Sequence, residues 1–425
     1  MGIVRLLVIS AVFVIFLASQ LFWFRRVAEW GEKLIPNRRL RRALAGAGAI
    51  AYILLFAYTL VWFRSGGTPT HLTLRVAMLE APFPWWMLGS LMGFWLFCLL
   101  WLADRLVGVV RLAAGLLRRA LPKLQSQPAW AVDDPPSSGR RAFLEQTAKV
   151  VSAAPFVASG YGLLYGRLNL ETTHPRIKLS RLPKAFHGFR IAQLSDIHIG
   201  PFMSAEEIRK YVGIANETKA DLILLTGDFI TWDADTQEAV VSELARLKAP
   251  HGIYGCLGNH ERWSDAEDSI TALFAARGIR MLRQQNVVLR SGDAGLNLIG
   301  VDYQSIRRGE PRGETAVRSY LEGVERLMVP GTANLLMSHN PNSFDRAAEL
   351  GIDLSLAGHT HGGQITLEYI HPALTPSRFI TDYTRGWFQK GSSQLYVNRG
   401  IGTIGFPIRL GARPEITVFE LARPS

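Results

Sequence analysis

Five of the ten histidines fall in short polar stretches that close apolar runs. The stretches are Asp196-Ile-His198, Gly227-Asp228, Gly258-Asn259-His260-Glu261, Ser338-His339-Asn340 and Gly358-His359-Thr360-His361. They pair carboxylate and amide oxygens with imidazole nitrogens and contain no thiolate. That donor set suits Mn, Fe or Zn better than Ca²⁺, which prefers all-oxygen sites, or structural Zn²⁺, which prefers Cys. Asp196, His198, Asp228, Asn259, His339, His359 and His361 are too many ligands for one catalytic ion with an open position. They suit two ions sharing a carboxylate. Each stretch alone is weak, since a lone His is usually an ordinary core or surface residue. The other five histidines are scattered and read as ordinary.

Residues so far apart in sequence need a scaffold that gathers them. FRIAQLS, DLILLT, GIYGCL, LNLIGVD, ANLLM, IDLSLA, SQLYV and EITVFEL read as short, nearly continuous apolar strands, as expected when both faces are covered. SAEEIRKYVGIANET reads as a helix with a capping box, Ser204 with Glu207; TQEAVVSELARL and EDSITALFAARG are also helical in pattern. Alternating elements predict an α/β fold. Loops at the carboxyl ends of such strands lie on one edge of the sheet, so the polar stretches can converge there. The glycines around His359 and His361 let that loop bend sharply.

In this order, DIH, GDF, GNHE, SHNP and GHTHGG resemble the calcineurin-like metallophosphoesterase family, whose pattern is D-x-H, GD, GNH-D/E, a lone His and GH-x-H. The resemblance covers about 180–425. GHTHGGQ and VNRGIGT (397–403) are similar to the membrane-associated bacterial subgroup with twin-arginine-type signals. It implies a four-layer αββα sandwich of two face-to-face sheets with helices outside. It implies one ion on Asp196, His198, Asp228 and His361, and another on Asp228, Asn259, His339 and His359. His260 would be the catalytic group facing the phosphate. The implied reaction is hydrolysis of phosphoester or pyrophosphate bonds by metal-bound hydroxide. Glu261 is expected to support His260, and Gln364 to back the ligand loop. Arg385 and Arg399 are expected to bind substrate phosphate, with a structural ion pair as the alternative for each.

The remaining third has a different character. Of 425 residues, 48% are hydrophobic and 19% charged, and the net charge is +12. Residues 1–170 hold 19 Lys+Arg and 7 Asp+Glu, which is the whole excess; 171–425 hold 28 of each. The balanced second part excludes a basic nucleic-acid-binding domain. Three apolar runs, Ile3–Phe24, Ala43–Phe63 and Phe83–Ala103, approach the ~20 residues that cross a bilayer. Loop 25–42 carries seven Lys/Arg, loop 64–82 only Arg64 and Arg75, and the segment after 104 is basic again. Cytoplasmic loops collect the positive charge. This places the N-terminus outside, the first loop inside, the second outside and the segment after the third run inside. Residues 105–121 read as an amphipathic interfacial helix, and 125–139 as a flexible linker. Arg140-Arg141 followed by an apolar stretch resembles a twin-arginine signal; a cytoplasmic amphipathic helix is the alternative.

The expected organisation is a transmembrane region over 1–121, a linker with a fourth span or twin-arginine-like segment over 122–170, and a catalytic domain over 171–425. The expected protein is a multi-pass inner-membrane phosphohydrolase with an extracytoplasmic catalytic domain, the cytoplasm being the alternative side. Its partners would be the membrane and a phosphorylated substrate, such as a phospholipid or lipid-linked pyrophosphate. The alternative function is a non-catalytic membrane receptor or assembly protein retaining a metal-binding head. A lost ligand would favour it, and the motif set has lost none. HExxH and HxHxDH, which mark other metallohydrolases, are absent from the sequence.

Overall fold

The computed structural model describes residues 2–62, 68–120, 138–304, 320–368, 371 and 374–424. The chain forms two compact units, Met1–Val61 with Pro82–Tyr161, and Trp62–Ala81 with Gly162–Ser425.

The first unit contains α1 (Gly2–Leu34), α2 (Arg38–Trp62), α3 (Pro82–Ala120) and α4 (Ser138–Tyr161). Two stretches, Arg38–Thr59 and Val76–Leu117, are long and apolar enough to cross a membrane by length and composition. The first overlaps the second expected span, Ala43–Phe63, and the second contains the third, Phe83–Ala103. The first expected span lies in α1, whose opening side chains fall outside the described residues. Val150–Gly166 is a shorter apolar helix, and α4 carries Pro155. Residues 105–120, read as an interfacial helix, are helical and continue α3, which runs unbroken for 39 residues because no proline interrupts it beyond its first turn. The linker read over 125–139 lies, except for its last two residues, outside the described residues. One amide joins α1, α2 and α3. Gln20 Nε2 donates to Ser90 Oγ at 3.1 Å, while Oε1 accepts Tyr52 O–H at 3.1 Å and Trp86 Nε1–H at 2.9 Å.

The second unit is a sandwich of two sheets. The first holds β1 (Glu171–Thr173), β2 (Arg176–Lys178), β3 (Arg190–Leu194), β4 (Leu222–Thr226), β5 (Ile253–Cys256), β6 (Arg280–Met281) and β13 (Glu415–Ala422), in the order β1-β13-β3-β4-β5-β6 with β2 also on β13. The second holds β7 (Gln285–Ser291), β8 (Ala294–Gly300), β9 (Asn334–Met337), β10 (Leu354–Ala357), β11 (Gly386–Lys390) and β12 (Ser393–Val397), in the order β11-β12-β10-β9-β8-β7. β3 to β6 are parallel, as are β8, β9, β10 and β12.

Alternation along each strand builds the layers. Leu222 and Leu224 of β4 meet Leu335, Met337, Leu354 and Leu356 of the other sheet in the central core. Ile223 and Leu225 point the other way and pack with Ile208 and Val212 of α5 (Ala205–Glu217), Val240 and Leu244 of α6 (Gln237–Leu244), and Ile270 and Phe274 of α8 (Glu267–Ala275). The outer face of the second sheet packs on Phe344 and Ala347 of α9 (Phe344–Leu350). The fold is the expected four-layer α/β sandwich. The capping box at Ser204 and Glu207 forms. GNHE, read as a loop, instead opens a short helix, α7 (Asn259–Trp263).

Candidate metal centre

Every ligand candidate sits just past the carboxyl end of a strand or its loop. Asp196 and His198 follow β3, Asp228 follows β4, Asn259 and His260 follow β5, His339 follows β9, and His359 and His361 follow β10. Parallel strands point these ends the same way, so loops from both sheets meet at one edge. The backbone there is strained. Asp196, His198, Asp228, His359 and His361 all have φ between 49° and 73°, a region that non-glycine residues rarely occupy. Such outliers persist only where surrounding contacts hold them. Glycines give the room. A Cβ on Gly358 would collide with Ser195 Oγ and Asp196 Oδ2, and one on Gly258 with Asp228 Oδ1.

The side chains converge. Asp196, His198 and His361 form one donor group, and Asp228, His339 and His359 another, each with ligand atoms within 4.8 Å of one another. His198 Nε2 stands 3.1 Å from His361 Nε2, and His361 Nε2 stands 3.3 Å from Asp196 Oδ1. Asp228 Oδ2 lies 3.5 Å from His198 Nε2 and 3.1 Å from His339 Nε2, so it faces both groups. His339 donates Nδ1–H to the Thr226 carbonyl at 2.6 Å, which turns Nε2 towards Asp228. That atom and Asn259 Oδ1 are buried without an aligned hydrogen bond. Lone pairs pressed together at ~3 Å repel unless a proton or a cation lies between them. The donors therefore fit metal ions.

The comparisons agree. A model of the family described as calcineurin-like phosphoesterase matches residues 189–363. The metallophosphoesterase YkuE of Bacillus subtilis is 34% identical over 289 residues, which cover 66% of this chain and 97% of that one. The chain belongs to the calcineurin-like metallophosphoesterase family. Phosphodiesterase YaeI of Escherichia coli is 28% identical over 66% of this chain and 98% of its own length. A bovine (Bos taurus) transmembrane protein with a metallophosphoesterase domain is 29% identical, over 61% of this chain and 59% of that protein. The chain is thus a metal-dependent phosphoesterase.

Electrostatics in this metallophosphoesterase favour ligation. Burial pushes His198 and His359 down to about 3 and His361 well below its ordinary value, so all three are neutral. Neutral imidazole is the ligating form. Burial pushes Asp196 up to about 6. At Asp228 burial acts upward too, but the His339 and His198 imidazoles outweigh it and hold the carboxyl well below the usual range. His339 is the counterpart: burial lowers it, the Asp228 carboxylate outweighs burial, and it rises to about 10.

Other expected residues take defined places. His260 donates its Nδ1–H to the Thr231 carbonyl, and Nε2 is left as its free nitrogen. Glu261 does not support His260. Its carboxylate accepts the backbone N–H groups of Asp228, Phe229, Ile230 and Gly258. Gln364 braces the histidine loop by donating to the Ile404 and Phe406 carbonyls. Arg385 pairs with Glu368, and Arg399 with Glu415 and Glu171. Both arginines thus occupy the ion-pair alternative, beside Gly362.

Two neighbours carried no readable signal in the sequence. Arg409 is buried, and its guanidinium donates to the carbonyls of Arg399, Gly400, Gly402 and Ala412 behind His361. No motif surrounds it. Tyr303, after β8, has its ring 5.7 Å from His359 and 6.1 Å from His339. Only its position past a strand end could have marked it.

Proposed function

We propose that the chain is a membrane-tethered dinuclear phosphohydrolase of phosphoester or pyrophosphate bonds, acting on lipid-linked phosphates. One observation carries the reading: Asp228 Oδ2 stands 3.5 Å from His198 Nε2 and 3.1 Å from His339 Nε2, so it faces a donor from each of the two groups. Asp196, His198, Asp228 and His361 would hold one ion; Asp228, Asn259, His339 and His359 would hold the other. Mn, Fe and Zn suit these donors. When bound, two such ions polarise phosphoryl oxygens and acidify a water at neutral pH.

The chain's own residues supply position and proton control. Asp228 is shared, and the Glu261 clamp holds its backbone. The Thr226 and Thr231 carbonyls fix the tautomers of His339 and His260 by accepting Nδ1–H. His260 Nε2 is then the atom that can hold a proton for the leaving oxygen. The name of the Escherichia coli relative supports a diester as one substrate form.

Two apolar stretches and the name of the bovine relative support membrane tethering. The loop between α2 and α3 supports a side. Thr68 N donates to Asp233 at 2.6 Å, and Ala205 N donates to the Thr70 carbonyl at 2.9 Å. That loop and the catalytic unit therefore share one face of the membrane. The arginine-rich loop 25–42 suits the cytoplasmic face, which supports an extracytoplasmic catalytic unit with α4 as the return crossing. The pair Arg140-Arg141 fits export of the unit by a twin-arginine route.

The test uses the full chain in nanodiscs with Mn²⁺ and bis(p-nitrophenyl) phosphate. Asp228→Asn and His361→Ala should each lose about a thousandfold in turnover. Turnover equal to wild type in both variants would defeat the reading.

A further inference from the structure

Tyr303 lies beside one half of the metal centre. Its ring stands 5.7 Å from His359 and 6.1 Å from His339. Both imidazoles belong to one donor group with Asp228. His260 stands beside the other half, its ring 4.6 Å from that of His198. Each half therefore has one polar side chain next to it that is outside the candidate ligands.

Tyr303 is nine-tenths buried, at 9% exposure. Among the described residues its hydroxyl has no hydrogen-bond partner. A buried tyrosine usually pairs its O–H, and leaving such a group unpaired is costly. The hydroxyl is not one of the sealed-off polar atoms, so the small exposed part of the residue includes it. A bound molecule can therefore reach it. Burial and the Asp228 carboxylate push the phenol up to about 12, so it keeps its proton at neutral pH and can donate.

The segment that carries Tyr303 is held firmly. Its carbonyl accepts Nη1–H of Arg262 at 3.1 Å, which ties it to α7, the helix of Asn259 and His260. The carbonyl of Gln304, the next residue, accepts Nδ2–H of Asn340 at 2.9 Å, and its side-chain oxygen accepts the Leu321 N–H at 2.8 Å. Asn340 follows His339 directly. A phenol fixed in this way, with its one polar atom unpaired, points to a partner that arrives from outside the chain. That partner must be an acceptor, because the phenol holds its proton. At a phosphoesterase centre the acceptors that arrive are phosphoryl oxygens.

We propose that Tyr303 is a further catalytic residue, whose hydroxyl donates a hydrogen bond to a non-bridging oxygen of the substrate phosphate on the His339 and His359 side, while His260 serves the His198 side. The proposal rests on the phosphohydrolase reading of the centre. No bond to Tyr303 forms or breaks, and its proton stays on the phenol. The same contact is available to bound inorganic phosphate, so it can be read without turnover.

The experiment uses the full chain in nanodiscs loaded with Mn²⁺ and compares wild type with Tyr303→Phe, which removes the hydroxyl and keeps the ring. The dissociation constant of inorganic phosphate, read by calorimetry, should rise about tenfold, and kcat/KM for bis(p-nitrophenyl) phosphate should fall about thirtyfold. Bound Mn²⁺ and melting temperature should match wild type, since the hydroxyl bonds nothing in the described chain. Wild-type phosphate affinity in the variant overturns the proposal, whatever its turnover. So does loss of Mn²⁺, because the hydroxyl would then serve the ligands and not the substrate. A wild type that binds phosphate yet turns over no phosphoester would instead sink the phosphohydrolase reading, and the phosphate titration alone would then decide the Tyr303 contact.

Discussion

The carboxylate of Glu261 accepts the backbone N–H of Asp228 at 3.0 Å. Each of its oxygens takes two such donors: Oε1 those of Phe229 and Ile230, Oε2 those of Asp228 and Gly258. The left-handed conformation of Asp228, the carboxylate that faces both donor groups, is thus held by a residue outside both groups.

Glu261→Gln should therefore be costly despite its identical shape. Whichever way the amide turns, its NH₂ meets two backbone donors that then lack an acceptor. The expected loss is about 2 kcal/mol or more in stability, together with reduced metal content. Thermal unfolding and metal analysis of the purified variant check this. Wild-type values on both would show that the clamp is dispensable.

Gly358→Ala tests the close approach behind Asp196. The new methyl would strike Ser195 Oγ and Asp196 Oδ2, so the carboxylate must move. A displacement of this size should reduce kcat/KM by about a hundredfold. Steady-state kinetics with bis(p-nitrophenyl) phosphate read the effect, and a variant as fast as wild type contradicts the geometry.

Metal binding should release protons. His339, raised to about 10 beside Asp228, carries a proton at pH 7 in the metal-free protein and must shed it to ligate. Calorimetric titration with Mn²⁺ in buffers of different ionisation enthalpy should show release of about one proton. Heats that do not vary with the buffer would refute a protonated His339.

Removing metal should also change how stability depends on pH. The folded value of His339 lies above its ordinary 6.5. Its stabilising pairing is therefore complete below pH 6.5 and is lost as pH climbs through about 10. Chelator-treated protein should melt at falling temperature between pH 7 and 10, and metal-loaded protein should show a flatter profile. Parallel profiles for the two forms would argue against ligation by this imidazole.

Sidedness can be read with cysteines at two exposed positions, Leu74→Cys in the loop between α2 and α3 and Lys184→Cys in the catalytic unit. A membrane-impermeant maleimide added to intact cells should label both. Labelling of one without the other would break the shared-face argument. Labelling of neither until lysis would put the catalytic unit in the cytoplasm.

Much of this was legible in the chain. The strands announced themselves as apolar runs too short for helices, and Ser204 with Glu207 marked a helix start that forms as read. The candidate ligand residues were visible because metal chemistry restricts residue type. What lay beyond reach was contact between residues distant in sequence. Nothing near Glu261 says that it serves Asp228 rather than His260. Arg385 and Arg399 have the residue type of phosphate clamps, yet the fold gives both to carboxylates. Residues 105–120 are helical as read, but that they continue the helix of the third apolar run was not legible locally.

The order of elements, the donor set and the apolar segments were determined by the sequence alone, because each depends on residues near one another in the chain. Only the tertiary structure decided that five candidate ligand residues sit at positive φ, that Arg409 and Glu261 brace their loops from behind, and that Tyr303 stands beside His339 and His359. Those outcomes depend on two sheets packing face to face and bringing their loop edges together. Packing is set by the sum of all contacts, and no local stretch contains that sum.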